Sequence, residues 1–83
     1  MTVIKQYGAH WCNPCKSLLP IMQQITQANP TVQYQYVDVD HNPDETREQG
    51  IRSVPTVVVI KDGIETNRIV GLQPRAVYEQ AIK

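Results

Sequence analysis

The sequence has no excess charge of either sign, because eight Lys and Arg residues balance eight Asp and Glu residues. Without a basic field to collect phosphates, we expect the chain to bind neither nucleic acid nor anionic membranes. It also has no long apolar run, since the longest (residues 57–60) is far shorter than the ~20 residues of a membrane span. These absences exclude nucleic-acid binding and membrane insertion as expected roles.

Cysteine is scarce as well: the chain has two, Cys12 and Cys15. A small secreted domain held by disulfides usually carries about four or more, spread along the chain. Residues 1–7 lack the apolar segment and the small-residue cleavage site of an export signal. We therefore expect a cytoplasmic protein in which the cysteine pair performs chemistry.

The length of 83 residues, of which 41% are hydrophobic, predicts one small globular domain that spans the whole sequence. Its predicted helices and strands place it in the α/β class. Hydrophobic patterning and turn signals predict strands over 2–7, 32–39, 56–60 and 64–70, and helices over 14–28, 43–49 and from Pro74. The order β-α-β-α-β-β-α joins a parallel crossover to a hairpin at Asp62-Gly63. It predicts a four-stranded mixed sheet flanked by helices.

The second helix is short and has no large apolar residue, so we expect it to lie mostly in water. Asn42 precedes Pro43, and Glu45 follows Asn42 by three positions, which is typical of a helix cap. We interpret the acidic stretch around it as capping plus a solvated face; its members are Asp38, Asp40, Asp44 and Glu45.

Cys12 lies where the first strand passes into a helix, and free N–H groups at a helix start stabilise a thiolate. Since the thiolate is the nucleophile, Cys12 is predicted to be reactive. Cys15, one turn later, faces the same side, can close a disulfide with Cys12, and is expected to be less exposed. Pro14 stiffens the intervening ring, and Trp11 offers a flat apolar surface beside the nucleophile.

Two other interpretations of the cysteine pair stay open at this point. Both cysteines could be plain core residues, because cysteine is among the most buried residue types. They could also bind a metal together with His10 or His41, although a closed zinc site needs about four ligands and a second pair is missing. Redox chemistry is favoured over both because C-x-x-C falls at a strand-to-helix junction.

Residues 11–16, W-C-N-P-C-K, resemble the W-C-G-P-C-K motif of thioredoxins. Pro20 stands where that family has a helix-bending proline, and residues 50–56 resemble its segment with a cis-proline. Residues 61–63 are similar to its hairpin turn, and Val70-Gly71 to its substrate-side glycine loop. The similarity extends over essentially the whole chain.

The sequence departs from the thioredoxin pattern in three respects. Asn13 replaces the glycine of the active-site motif. The buried aspartate of typical thioredoxins falls on Gln6, and its lysine neighbour falls on Tyr36, so the proton-handling carboxylate is missing from its usual place. We expect Gln6 to point toward the underside of the cysteine pair. The family's first strand and helix have no counterpart in these residues, which leaves a core of glutaredoxin size.

The resemblance implies a thioredoxin-like fold and a protein-disulfide reductase that cycles between a Cys12–Cys15 dithiol and disulfide. It implies no bound metal or organic cofactor, and a cis bond between Val54 and Pro55 that turns the backbone of Val54 toward the sulfurs. The residues implied in binding clients are Trp11, Asn13, Pro14, Val54, Pro55 and Gly71.

The same resemblance implies a monomer that acts on disulfide-containing proteins and receives electrons from a thioredoxin reductase using NADPH. One alternative is a glutaredoxin reduced by glutathione, which the short architecture favours. This alternative is disfavoured by the residues around the cysteines, Trp11, Asn13 and Lys16. It is also disfavoured by the single Gly71, which stands in place of a glycine pair. Another alternative is a non-catalytic subunit that binds a different enzyme.

Overall fold

The computed structural model describes residues 1–83 and contains the predicted elements in the predicted order. The strands are β1 (Thr2–Gly8), β2 (Val32–Asp38), β3 (Thr56–Lys61) and β4 (Ile64–Val70). The helices are α1 (Asn13–Ala28), α2 (Pro43–Glu48) and α3 (Arg75–Ala81). No helix in the chain combines the length and the apolar character needed to cross a membrane.

The strands form one mixed sheet in the order β2-β1-β3-β4, which confirms the predicted fold class. Strand β1 runs parallel to β2 and antiparallel to β3, and β4 pairs antiparallel with β3 through an irregular register at Val59 and Ile60. Strand β1 is an inner strand of the sheet and is followed by α1. The residues that connect β1 to α1 therefore lie near the centre of the sheet, at the ends of its strands. This is the position of Cys12.

Helices α1 and α3 cover one face of the sheet with an apolar core. Alternation along β1 directs Ile4 to this face, and Leu18, Met22 and Ile25 recur along α1 at helical spacing. All of them are buried, as is Tyr78 of α3. Packing of this kind fixes α1 rigidly, and with it the start of the helix that carries the cysteines.

The opposite face has a smaller core made by Tyr7, Val37 and Val58, with Ile51 and Ile60 partly buried against it. Helix α2 belongs to this face and buries none of its side chains, as its composition predicts. Its attachment to the sheet therefore rests on groups other than apolar side chains.

The predicted cap of α2 is wrong in its side-chain contacts. Asn42 is the N-cap residue, but its side chain makes no capping hydrogen bond, and its Nδ2 donates to the carbonyl of Asp38 instead, at 2.9 Å. Glu45 does not reach back to Asn42, because its carboxylate accepts hydrogen bonds from Lys5 and Tyr7 of β1. The Glu45 carboxylate is therefore used for long-range contacts with the sheet and not for a local cap.

Candidate active site

Cys12 is the N-cap residue of α1, between β1 and the first helical turn. Its Sγ accepts a hydrogen bond of 3.2 Å from the backbone N–H of Cys15, and the first turn of α1 contains no acidic side chain. The free N–H groups and the dipole of a helix start stabilise negative charge. This position therefore favours a thiolate at Cys12 when the pair is reduced.

Cys12 and Cys15 form a disulfide, with their Cα atoms 5.3 Å apart. Cys15 is 1% exposed and Cys12 is 5% exposed, so Cys15 is the deeper of the two, as predicted. Both pack against Ala9, with Val39 and Val54 partly buried beside them. The pair thus lies in a small apolar setting at the surface, with Cys12 as the more accessible member.

Gln6 lies beneath the pair, where its strand position predicts it. Its side chain is fully buried, its Nε2 donates to the carbonyl of Cys15 at 3.1 Å, and its Oε1 accepts from the Tyr34 hydroxyl at 2.6 Å. Burial raises the pKa of Tyr34 to about 12, so its phenol is neutral at physiological pH. The hydrogen-bonded chain under Cys15 is therefore uncharged.

Tyr36 occupies the position of the family's lysine and lies against Gly8 of β1. A Cβ at position 8 would lie 2.5 Å from the Tyr36 hydroxyl oxygen, so any larger residue there would require the exposed Tyr36 ring to shift. The phenol of Tyr36 covers the end of β1 just before the active-site turn. Neither the aspartate nor the lysine of the family pattern has a charged replacement here.

The segment before β3 places Val54 and Pro55 beside the cysteines. The Val54–Pro55 peptide bond is cis, as predicted, and Val54 packs against the cluster that contains Cys12 and Cys15. The Pro55 carbonyl accepts a hydrogen bond of 2.8 Å from the N–H of Gly71, whose φ of +83° favours glycine. This bond ties the loop after β4 to the loop before β3.

A mainly apolar groove of about 230 Å³ opens next to the disulfide. Its lining consists of Trp11, Val39, Thr46, Ile51, Arg52, Ser53 and Val54. Trp11 is 60% exposed, and its Nε1 donates a hydrogen bond of 2.8 Å to Asp40. This bond holds the indole in place although most of its surface faces solvent.

Asn13 and Pro14, which the sequence also predicts to contact clients, are exposed on the first turn of α1. Other residues of the site were missed from the sequence. Asp40 was interpreted as part of a solvated acidic face, yet it holds Trp11. Thr46 was not considered, and Ile51 was noted only as part of the segment 50–56 and not as a residue of the site. No local pattern identifies them, because the fold brings them to the groove from separate parts of the sequence.

The geometry also bears on the metal alternative. His41 Nδ1 lies 3.4 Å from Asp38, and His10 is exposed. No group of three or more His, Cys, Asp or Glu side chains is placed to hold a metal ion. The two sulfurs are bonded to each other instead.

A model of the thioredoxin family matches residues 1–83. The chain belongs to the thioredoxin family. It is 36% identical over 76 residues to the thioredoxin of Rickettsia typhi, covering 90% of this chain and 72% of that one. It is also 36% identical over 72 residues to thioredoxin-2 of Pyricularia oryzae, covering 87% of this chain and 42% of that protein.

Solved thioredoxins share the fold. The oxidised mitochondrial thioredoxin 3 of Saccharomyces cerevisiae superposes with a TM-score of 0.90 at 33% identity, covering 98% of this chain and 76% of that one. A yeast structure concerning thiol resolution in a mitochondrial 1-Cys peroxiredoxin via the glutathione/thioredoxin systems gives a TM-score of 0.91 at 32% identity. It covers 98% of this chain and 76% of that chain.

Family membership and the disulfide in the C-x-x-C motif together establish the chemistry of the site. The protein is a thiol–disulfide oxidoreductase, and Cys12 and Cys15 carry its redox-active disulfide. The glutaredoxin and binding-subunit alternatives are not favoured.

Proposed function

We propose that the protein reduces disulfide bonds of client proteins, with Cys12 as the attacking thiol and Cys15 as the resolving thiol. The Cys12 thiolate attacks one sulfur of a client disulfide, forming a mixed disulfide and releasing the other client sulfur as a thiolate. The Cys15 thiolate then attacks the Cys12 sulfur, which forms the Cys12–Cys15 bond and releases the second client thiolate. Two electrons pass from the protein to the client.

The observation that carries this proposal is the N-cap position of Cys12. Its Sγ lies at the N-terminus of α1 and accepts a hydrogen bond from the backbone N–H of Cys15. The helix start therefore stabilises the attacking thiolate. Cys15 is deeper, which keeps it from competing for the client and within reach of the Cys12 sulfur. With no carboxylate at Gln6, water or the departing client thiolate takes the proton from Cys15.

Client segments are proposed to lie along the groove beside Trp11 and to pair with the backbone of Val54. The N–H and C=O of Val54 belong to no helix or strand and have no backbone partner in the chain, which leaves both free for an extended segment. Pro55 and Gly71 hold this backbone next to the disulfide, while Asn13 and Pro14 contribute the opposite rim. The mainly apolar groove suits unfolded or loop segments with aliphatic side chains.

The oxidised protein must be reduced again, and a thioredoxin reductase drawing on NADPH is the donor that we propose. The dithiol itself carries both electrons, so the cycle needs no bound metal or organic cofactor. We propose that the protein works as a monomer in the cytoplasm, where thiols are kept reduced. The yeast structure concerning a peroxiredoxin makes a thiol peroxidase one candidate client.

Reduction of insulin disulfides tests both the activity and the donor. The protein should turn over insulin with NADPH and thioredoxin reductase, and much more slowly with glutathione, NADPH and glutathione reductase. Faster turnover with glutathione would assign the protein to the glutaredoxin system. Binding of clients without turnover in either system would support the non-catalytic alternative.

The two cysteine roles are tested by serine variants mixed with a client disulfide. Cys12→Ser should form no mixed disulfide and reduce no insulin, whereas Cys15→Ser should accumulate a mixed disulfide at Cys12 that can be isolated on a non-reducing gel. The wild-type protein is the control, because its mixed disulfide should resolve. Accumulation at Cys15 in the Cys12→Ser variant would reverse the assignment.

A further inference from the structure

Helix α2 and the residues after it form one wall of the groove, and the only apolar contact of this wall with the sheet is that of Ile51, which lies beyond α2 and is partly buried. Thr46 of α2 and Ile51 just beyond it line the groove, yet α2 buries none of its side chains. A helix of six residues is not stable by itself in water. The shape of this wall therefore depends on whatever holds α2 against the sheet.

One attachment joins Glu45 of α2 to the central strand. The Glu45 carboxylate accepts a hydrogen bond of 2.9 Å from Lys5 Nζ and another of 2.9 Å from the Tyr7 hydroxyl. Tyr7 is buried, and the side chain of Lys5 is 25% exposed, so both donors are fixed by the sheet. Hydrogen bonds from Lys5 and then Tyr7 hold the pKa of Glu45 below its ordinary value, which keeps the acceptor charged.

A second attachment holds the far end of α2. Arg68 of β4 donates from Nη1 to the carbonyl of Gln49, at 2.6 Å, just past the last turn of α2. Glu65 accepts two hydrogen bonds of 2.9 Å from the same guanidinium, which fixes its orientation. The chain then turns at Gly50, and the N–H of Ile51 donates to the carbonyl of Thr46. The two attachments lie on either side of Thr46, and Ile51 follows the second one two residues later.

We propose that Glu45 is a positioning residue for client recognition: through Lys5 and Tyr7 it fixes α2, and α2 fixes the groove wall formed by Thr46 and Ile51. Glu45 does not line the groove, and its side-chain partners are Lys5 and Tyr7, not the sulfurs. It therefore sets the affinity for protein clients without changing the reactivity of Cys12. This inference rests on the proposed function, because it assumes that clients occupy the groove.

The contacts of Glu45 lead to a specific kinetic signature. Loss of one net hydrogen bond or charge contact at a partly exposed site corresponds to about a twofold to fivefold change in an equilibrium constant. The Glu45→Gln variant should raise KM for insulin by about that factor while kcat stays within about twofold. Reduction of a small aromatic disulfide, which does not fill the groove, should proceed at the wild-type rate.

A matched control is available one residue away on the same helix. Asp44 pairs only with Arg47 of α2 itself, at 2.9 Å, and both side chains are largely exposed. The Asp44→Asn variant removes the same charge without touching the sheet, so its KM for insulin should equal the wild-type value. A Tyr7→Phe variant keeps the buried ring and loses one donor to Glu45, so its KM should rise in the same direction.

The measurements separate this inference from the proposed function. An unchanged insulin KM in Glu45→Gln, or an equal rise in Asp44→Asn, overturns the positioning role while the proposed function stands. If Glu45→Gln also lost activity toward the small aromatic disulfide by the same factor, the positioning role would again be overturned, since the defect would then lie in the reactivity of the thiols. A wild-type protein that reduces no insulin overturns the proposed function itself.

Discussion

Helices α1 and α2 lie on opposite faces of one sheet and are attached to it by different interactions. Helix α1 inserts Leu18, Met22 and Ile25 into an apolar core, all of them fully buried. Helix α2 inserts nothing and is held by the carboxylate of Glu45 and by an arginine from β4. The helix that carries the sulfurs is thus fixed by packing, whereas the helix beside the groove is held by polar contacts.

This difference has consequences for function. Close-packed apolar contacts resist small displacements, do not titrate with pH and are not weakened by the screening of charges. Hydrogen bonds and ion pairs at a partly exposed site contribute less and vary with both. The geometry of the disulfide is therefore insensitive to pH and charge screening, while the groove wall proposed to contact clients can respond to both.

The largest expected effect comes from removing apolar contacts on the α1 face. Leu18→Ala should lower the free energy of unfolding by about 2–5 kcal/mol, because it leaves a cavity in a fully packed core. That is a large part of the roughly 5–15 kcal/mol available to a typical domain. Ile51→Ala on the α2 face should cost less than about 2 kcal/mol, since Ile51 is only partly buried. Urea denaturation of the oxidised proteins measures both, and equal losses would contradict the comparison.

Placing a charge under the disulfide should come next. In Gln6→Asp, burial should raise the folded-state pKa of the new carboxyl above its unfolded value of about 3.9. Below that value the carboxyl is neutral in both states and costs nothing electrostatically. As the pH rises from the unfolded pKa to the folded pKa, the free energy of unfolding falls by about 1.4 kcal/mol for each pH unit between them, and then stays low.

Denaturation of this variant across the acid-to-neutral range measures that loss. Gln33→Asp is the matched control, because Gln33 is exposed on β2 and a carboxyl there should keep an ordinary pKa. A Gln6→Asp protein whose stability did not fall with rising pH would mean that the space under Cys15 is open to water.

A smaller loss of stability should follow from removing one tyrosine hydroxyl on the side of the sheet that α1 covers. Tyr34→Phe leaves Gln6 Oε1 buried without its donor, which should cost about 1–3 kcal/mol in the free energy of unfolding. Tyr36→Phe is the control on the same strand, because the Tyr36 hydroxyl has no hydrogen-bond partner and its loss should cost little. Equal effects of the two changes would show that the bond to Gln6 adds nothing.

Much of the α1 face could be predicted from the sequence because its signals are local. Apolar residues at helical spacing locate the buried side of α1, and C-x-x-C at the strand-to-helix junction locates the disulfide. The parity of β1 directs Gln6 to the same face as Ile4, under the cysteines. Each of these inferences uses residues within one element or at the junction of two successive elements.

The α2 face could not be predicted in the same way, because its contacts join distant positions. Glu45 follows Asn42 at the spacing of a cap, but its partners Lys5 and Tyr7 lie 40 and 38 positions earlier. The only signal in the sequence is that Lys5 and Tyr7 are two positions apart on β1, which places two hydrogen-bond donors on the same face of the sheet. On the other face, the Tyr34 hydroxyl likewise reaches Gln6 across 28 positions.

The smallest expected effect concerns the pH dependence of the α2 attachment. Hydrogen bonds from Lys5 and Tyr7 lower the folded-state pKa of Glu45 below its ordinary 4.5. The stability that this carboxylate contributes is therefore present above pH 4.5 and is lost as the pH falls through the lowered folded pKa. Because the pair is partly exposed, the contribution should be about 1 kcal/mol or less and should shrink at high salt.

The difference in unfolding free energy between wild type and Glu45→Gln measures this contribution. It should be constant near neutral pH and decrease toward zero in acid, while the corresponding difference for Asp44→Asn should be small throughout, since that pair is largely exposed. A Glu45→Gln difference that kept its full size below the folded pKa would mean that side-chain shape and not charge holds α2. The polar attachment would then be no more sensitive to conditions than the apolar packing of α1, and the contrast between the two faces would disappear.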